Sequence, residues 1–191
     1  MAYLDREQLA RLGFKRLGRN VKVSDRAAVH NADQIEIGDH SRIDDFCVVS
    51  GRVVMGRNVH LAVFVNIAGG SEGVFLDDFS GIAYGSHVFS QSDDYSGLHL
   101  TGPTLPLKYR EEAKLPVRIG RHSIVGAGSI ILPGVELGEG TSIGAGSLVT
   151  RSTPAWSVCV GSPAKKIKDR RRDLLLLEAE YLTEDEAAQR G

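Results

Sequence analysis

The sequence has few aromatic residues, 6% of its 191 positions, and a single tryptophan. A sandwich core packed around large rings is therefore not expected, and 22 glycines point instead to many tight turns. The only cysteines, Cys47 and Cys159, are too few for a disulfide framework and read as small buried hydrophobes. No apolar run approaches the roughly 18 residues of a membrane span. The opening stretch MAYLDREQLARLG is charged where an export signal is apolar, so a soluble chain in a reducing, cytoplasmic compartment is expected. A formal net charge of −1 gives no overall attraction for nucleic acid, which is not expected as a partner. The length suits one domain with a short appendage.

What the sequence does have is a repeat. Large apolar residues stand at Ile37, Ile43, Val49, Met55, Leu61 and Ile67, each six after the last. The phase slips across GGSEG and resumes at Leu76, Ile82 and Val88. It returns later as Ile119, Val125, Ile131, Leu137, Ile143 and Val149. A smaller set follows four residues behind: Ser41, Cys47, Val53, Val59 and Val65, then Ser123, Ser129, Val135, Thr141 and Ser147. Glycine follows the apolar residue directly at Gly38, Gly56, Gly120, Gly126, Gly138 and Gly144. A period of six is neither 3.6 nor a plain 2, which excludes a long helix and a simple hairpin meander. It fits short parallel strands joined by turns, one large residue per strand filling the axis of a narrow solenoid. The glycines are expected to take backbone angles that a Cβ forbids. Val23, Val29 and Ile35 mark an earlier, less regular coil. Helical spacing over 4–12, stopped at Gly13, and over 173–182 predicts a short helix at each end. The predicted organisation is a capping helix in 1–19, a solenoid over 20–168 and a C-terminal helix in 169–191.

The repeat fails over 89–116, FSQSDDYSGLHLTGPTLPLKYREEAKLP, which holds three prolines and should project from one edge of the solenoid. So long an excursion from a regular scaffold is usually functional. Ser92, Asp93, Asp94 and Tyr95 cluster in it. The carboxylate pair reads either as turn chemistry or as a general base or substrate clamp. His87 stands close to where the loop departs; in the coils that the resemblance given below implies, Asn66 stacks close to it and His60 belongs to a neighbouring edge. His30, His40 and His122 are expected at the surface, and His99 lies inside the loop. Near the C-terminus, KKIKDRRR (165–172) holds six basic residues and one acid. It reads as a site for phosphates, RNA or an anionic surface, or as the solvated side of a helix.

The segments VGAGSIILPGVELGEGTSIGAGSLVT (125–150) and VGSPAKKIK (160–168) resemble the hexapeptide-repeat acyltransferases. Within these they are most similar to sugar acetyltransferases related to galactoside O-acetyltransferase and to enzymes of surface-polysaccharide gene clusters. The resemblance covers about residues 20–168. It implies an all-β left-handed parallel β-helix with triangular coils of eighteen residues, and a homotrimer holding acetyl-coenzyme A in the groove between neighbouring prisms. Carried over by position, Gly126, Ala127, Gly144 and Ala145 would meet the pantetheine arm, with Thr150, Arg151, Lys165 and Lys168 near its nucleotide end. The acceptor would be a sugar or nucleotide-sugar, and no metal is implied.

The galactoside-type enzymes place a catalytic histidine, in a G-H-P context, where this chain has Asp93. On pKa grounds His87 is the favoured base, with Asp93 or Asp94 orienting it or binding the sugar, and with Asn66, His60, Tyr95 and Ser92 around the acceptor. The expected reaction is direct attack of a hydroxyl, ahead of an amine, on the thioester, with no covalent enzyme intermediate and no role for a thiol. Two other readings stay open. One is a non-catalytic trimeric scaffold binding a sugar or an acidic partner. The other is a metal-dependent hydratase of the carbonic anhydrase kind, which needs three converging imidazoles from among His60, His87 and His122.

Overall fold

The computed structural model describes residues 2–190. Its body is a left-handed parallel β-helix of about seven turns. Each coil contributes one short strand to each of three parallel sheets, the faces of a triangular prism. Face 1 carries Arg16–Leu17, Ile35–Ile37, Val53–Met55, Val74–Leu76, Val117–Ile119 and Glu136–Leu137. Face 2 carries Lys22–Val23, Arg42–Ile43, His60–Leu61, Gly81–Ile82, Ile124–Val125, Ser142–Ile143 and Ser157–Gly161. Face 3 carries Ala28–His30, Val48–Ser50, Asn66–Ala68, His87–Phe89, Ile130–Ile131 and Leu148–Val149. Register runs straight up the prism, Ile37 over Met55 and Met55 over Leu76, so the six-residue apolar repeat becomes three internal columns. Every member of both runs of six is essentially inaccessible to solvent. Burying each such side chain contributes about 1.5–3 kcal/mol.

The smaller residues of the repeat fill the corners, where three faces converge and leave little width. Their hydroxyls are satisfied by carbonyls of the next coil: Ser41 Oγ donates to Gly56 O at 2.8 Å and Ser123 Oγ to Gly138 O at 3.1 Å. Cys47 Sγ likewise donates to Ala62 O, and burial pushes its thiol up to about 11, which leaves it inert as a nucleophile.

The structure corrects the reason given for the repeat glycines. Gly38 and Gly126 do not need a left-handed backbone; a Cβ on either would lie 2.5 Å from backbone atoms of the next coil. The left-handed residue is instead the third after each large apolar one. It is His40, Asn58, Phe79, His122 and Gly140 at the corner between faces 1 and 2, and Phe46, Phe64, Gly85, Gly128 and Gly146 at the corner between faces 2 and 3.

Helix α1 (Arg6–Leu12) starts at an Asp5–Gln8 capping box and stops at Gly13, φ 72°, as the spacing predicted. Helix α2 (Leu174–Arg190) starts close to the predicted position and runs farther. It packs back along the corner between faces 1 and 2. Glu178 binds Arg121 and His122, Tyr181 Oη lies 3.0 Å from Asn58 Nδ2, and Asp185 binds Arg57 at 2.7 Å with His40 at 3.2 Å. His40 and His122 are therefore not surface decoration. His122 is buried and stacks on Phe79, its left-handed φ aiming the ring under the helix.

The basic stretch 165–172 is not helical. Residues Ala164–Asp169 form a strand that folds back antiparallel on Ser157–Gly161 and closes the edge of face 2. Arg170 is spent on structure, its Nη1 donating to His122 O at 2.7 Å and Gly140 O at 3.1 Å.

Candidate functional site

The loop leaves the prism at the corner between faces 3 and 1, as its place after Val88 requires. Its base is a two-stranded hairpin, Gln91–Asp93 antiparallel to Glu112–Lys114, with Asp93 opposite Glu112. Beyond the hairpin the loop is largely exposed, Tyr95 at 91% and Leu98 at 82%. A cleft of about 280 Å³ at the hairpin is lined by Gln91, Ser92, Asp93, Tyr95, Pro103 and Glu112, which gathers three of the predicted site residues.

The two carboxylates have different situations. Asp94 accepts from the amide and the hydroxyl of Ser96, both at 2.8 Å, and from His99 Nδ1 at 3.0 Å. These bonds, Ser96 first, hold its carboxyl down at about 2. A group so committed is a turn-former and a poor proton acceptor. Asp93 makes one long contact, from Gly102 N at 3.4 Å, and faces the cleft half-buried. Glu112, opposite, is already paired to Arg110 and Lys114.

His87 stacks directly beside Asn66 on face 3, with Ile130 on its other side. Its ring is exposed, and among the described residues no hydrogen bond links it to Asp93 or Asp94 within the chain. His60 lies on face 2, across a corner from His87. Its Nε2 is 2.8 Å from Asp44 Oδ2, a buried partner that sequence spacing did not reveal. His122 is committed to Glu178 on the far side of the prism. The three imidazoles of a hydratase thus do not converge within one chain, and no group of three or more metal-ligating side chains is assembled among the described residues.

The residues assigned by resemblance to the cofactor divide between two corners. Gly126, Ala127, Gly144 and Ala145 form turns at the corner between faces 2 and 3. Ala127 and Ala145 are exposed, while Gly126 and Gly144 are held small by the neighbouring coil. The bare positions are the second glycines of the two GAGS units, Gly128 and Gly146, together with Gly85; a Cβ on any of them meets nothing within 4 Å. They line up on successive coils as a strip without side chains, open to an extended ligand. The signal for them was in the sequence, since each stands third after an apolar repeat residue. Lys165 and Lys168 stand exposed at the end of face 2, adjoining this strip, and form no ion pair among the described residues. Thr150 and Arg151 sit at the corner between faces 3 and 1, so one chain does not bring them to the same groove.

A strip free of side chains on a triangular β-solenoid with a carboxylate-bearing loop defines a structural class, and the comparisons bear on it. The pattern of the bacterial transferase hexapeptide (six repeats) matches residues 116–151. The dTDP-4-amino-4,6-dideoxy-D-glucose acyltransferase of Escherichia coli is 42% identical over 184 residues, 95% of each chain. The chain belongs to the hexapeptide-repeat acyltransferase family.

Among solved structures it is similar to AntD, an N-acyltransferase from Bacillus cereus. A variant of AntD in complex with dTDP and coenzyme A superposes with a TM-score of 0.95 at 39% identity, over 96% of this chain and 100% of that one. AntD with dTDP and 3-hydroxybutyryl-CoA gives a TM-score of 0.94 at 40% identity, over 96% and 98%. A hexapeptide-repeat acetyltransferase from Vibrio cholerae, 20% identical with a TM-score of 0.59 over 88% of this chain and 83% of that one, shares the fold.

Proposed function

We propose that this protein transfers an acyl group from coenzyme A to the amino group of a dTDP-linked 4-amino-4,6-dideoxy sugar. The observation that carries this reading is likeness across nearly the whole chain to the E. coli acyltransferase and to AntD, the first named for such a substrate and the second solved with ligands of this kind. Acetyl is the first acyl group to test. The enzyme would work as a homotrimer in the cytoplasm, supplying acylated sugar for a surface polysaccharide.

The chemistry of the loop favours an amine, reversing the order expected from sequence. Attack of a neutral amine on the thioester carbonyl gives a tetrahedral adduct whose nitrogen carries a positive charge and is strongly acidic. A carboxylate such as Asp93 suffices to take that proton, whereas a hydroxyl acceptor needs a stronger base such as an oriented imidazole. The C–S bond then breaks and coenzyme A leaves as the thiolate. In this reading Asp93 is the proton acceptor, Ser92 and Tyr95 shape the acceptor cleft, and Asn66 and His87 flank it on face 3. Ala127, Gly128, Ala145 and Gly146 give the pantetheine arm a surface without bulk, and Lys165 and Lys168 neutralise its phosphates.

The test is thiol release from acetyl-CoA with dTDP-4-amino-4,6-dideoxyglucose as acceptor. Release that requires both substrates, and that falls at least about 100-fold in Asp93→Asn, is expected. An active enzyme with unchanged turnover in Asp93→Asn and a large loss in His87→Ala moves the base to His87. No release with any amino-sugar acceptor, together with no coenzyme A binding, leaves the scaffold reading instead.

A further inference from the structure

Neighbouring strands in a sheet favour opposite charges on adjacent rungs and are destabilised by like ones. Face 1 obeys this rule: Arg16 stands beside Glu36, and Arg118 beside Glu136. Face 2 breaks it. Lys22, Arg42 and His60 occupy three consecutive rungs of one outward column. One acid compensates them, Asp44, whose side chain is 4% exposed. Its carboxylate holds Arg42 Nε at 2.9 Å and His60 Nε2 at 2.8 Å, so both side chains are fixed from beneath. Lys22 has no carboxylate partner among the described residues; its ammonium lies 5.8 Å from the centre of the Tyr3 ring. The column floors a depression of about 700 Å³ whose wall is completed by Asn20, His40 and Asn58. Arg42 Nη2 also lies 2.9 Å from His60 Nε2, so Arg42 Nε and Nη2 and His60 Nε2 are engaged within the column, and the Lys22 ammonium and Arg42 Nη1 are left without a carboxylate partner among the described residues.

We propose that this column seats the pyrophosphate of the nucleotide-sugar acceptor, an inference that rests on the acyltransferase reading above. Coenzyme A carries phosphates too, but Lys22, Arg42 and His60 lie on the first three coils, whereas the bare glycine strip starts only on the next coil at Gly85 and runs through Gly128 and Gly146 to Lys165 and Lys168 on the last. The two substrates thus take opposite ends of the solenoid. Geometry adds a second consequence. In a triangular prism the corner between faces 3 and 1, where the loop leaves, is the one opposite face 2. In the homotrimer that the family resemblance implies, a sugar held by its pyrophosphate on face 2 of one chain would lie against the loop carboxylate of a neighbouring copy.

Calorimetric titration with dTDP and, separately, with coenzyme A tests the seat on the full chain, in wild type, Lys22→Ala and Arg42→Gln. The expected result is dTDP affinity weakened at least about tenfold in each variant, the loss of one charged hydrogen bond, with coenzyme A affinity unchanged. Equal dTDP affinity in wild type and Lys22→Ala, a surface change with no buried partner to orphan, overturns the seat alone. Wild type that binds coenzyme A and not dTDP overturns the acceptor class and the seat with it. Weakening of coenzyme A instead of dTDP reassigns the column to the acyl donor and overturns the proposal. For the two-copy arrangement, a Lys22→Ala/Arg42→Gln chain co-expressed with an Asp93→Asn chain should give mixed oligomers more active than either parent. No gain over the parents places both halves on one chain.

Discussion

Single residues here differ less in type than in what already engages them. Asp93 and Asp94 are adjacent and chemically identical, yet Ser96 and His99 saturate one and leave the other free to face the cleft. Because the carboxyl of Asp94 is depressed in the fold, its contribution to loop order is present above the ordinary aspartate range and is lost as pH falls towards about 2. Its carboxyl carbon should titrate by NMR with a midpoint near about 2 and move up towards the ordinary value in Ser96→Ala. The repeat glycines divide in the same way. Gly126→Ala drives a methyl into the backbone of the next coil and should cost about 1–3 kcal/mol in chemical denaturation. Gly128→Ala meets no atom and should cost about 1–2 kcal/mol through its backbone angle alone, φ 67°. The two are told apart by adding a bulky ligand-side group: Ala145→Trp, on the exposed strip, should weaken coenzyme A binding with little change in stability.

At the scale of elements, α2 is a strap. It lies on the corner between faces 1 and 2, and its grip depends on Glu178, Tyr181 and Asp185 meeting Arg121, His122, Asn58, Arg57 and His40. Burial opposes ionisation of Glu178, but the hydrogen bond from Arg121 and the charges of His122 and Arg121 outweigh it and lower its pKa. The stabilisation it gives is therefore complete above the usual glutamate range and disappears as pH falls through the lowered value. Glu178→Ala should cost about 1–2 kcal/mol at neutral pH, a loss that vanishes in acid. Trp156, the single tryptophan, tilts against His122 beside the strap, so fluorescence-detected unfolding reports it directly. The strap's existence was legible from Leu174, Leu177 and Tyr181. Its seat was not, because the partners belong to three separate coils whose alignment exists only once the solenoid has formed.

For the whole molecule, large exposed apolar side chains gather on the loop and at the corner between faces 2 and 3. Tyr95, Leu98 and Leu107 stand 91%, 82% and 70% exposed on the loop, and Phe46 stacks on an equally uncovered Phe64 at a corner, ring centres 5.0 Å apart. Surfaces of this kind on a solenoid mark association. Sedimentation should find three times the chain mass, and Leu98→Asp/Leu107→Asp should shift the population towards monomer while leaving the unfolding transition of the solenoid intact.

The sequence by itself determined the solenoid. A six-residue spacing of large side chains calls for one apolar residue per short parallel strand around a narrow axis, the three-sided coil being what the family resemblance implied, and an interruption of that spacing has to leave the solenoid. It also carried the loop and the small residues of the GAGS units, because each is set by local count along the chain. Tertiary structure alone decided which of two neighbouring aspartates is free, that Gly128 and Gly146 rather than Gly126 and Gly144 are bare, and that Lys22, Arg42 and His60 form one column over Asp44. The glycines and the column depend on stacking residues eighteen to twenty apart in the chain onto adjacent rungs, where electrostatics and sterics act at contact distance, and the aspartates on the turn that brings Ser96 and His99 back onto Asp94.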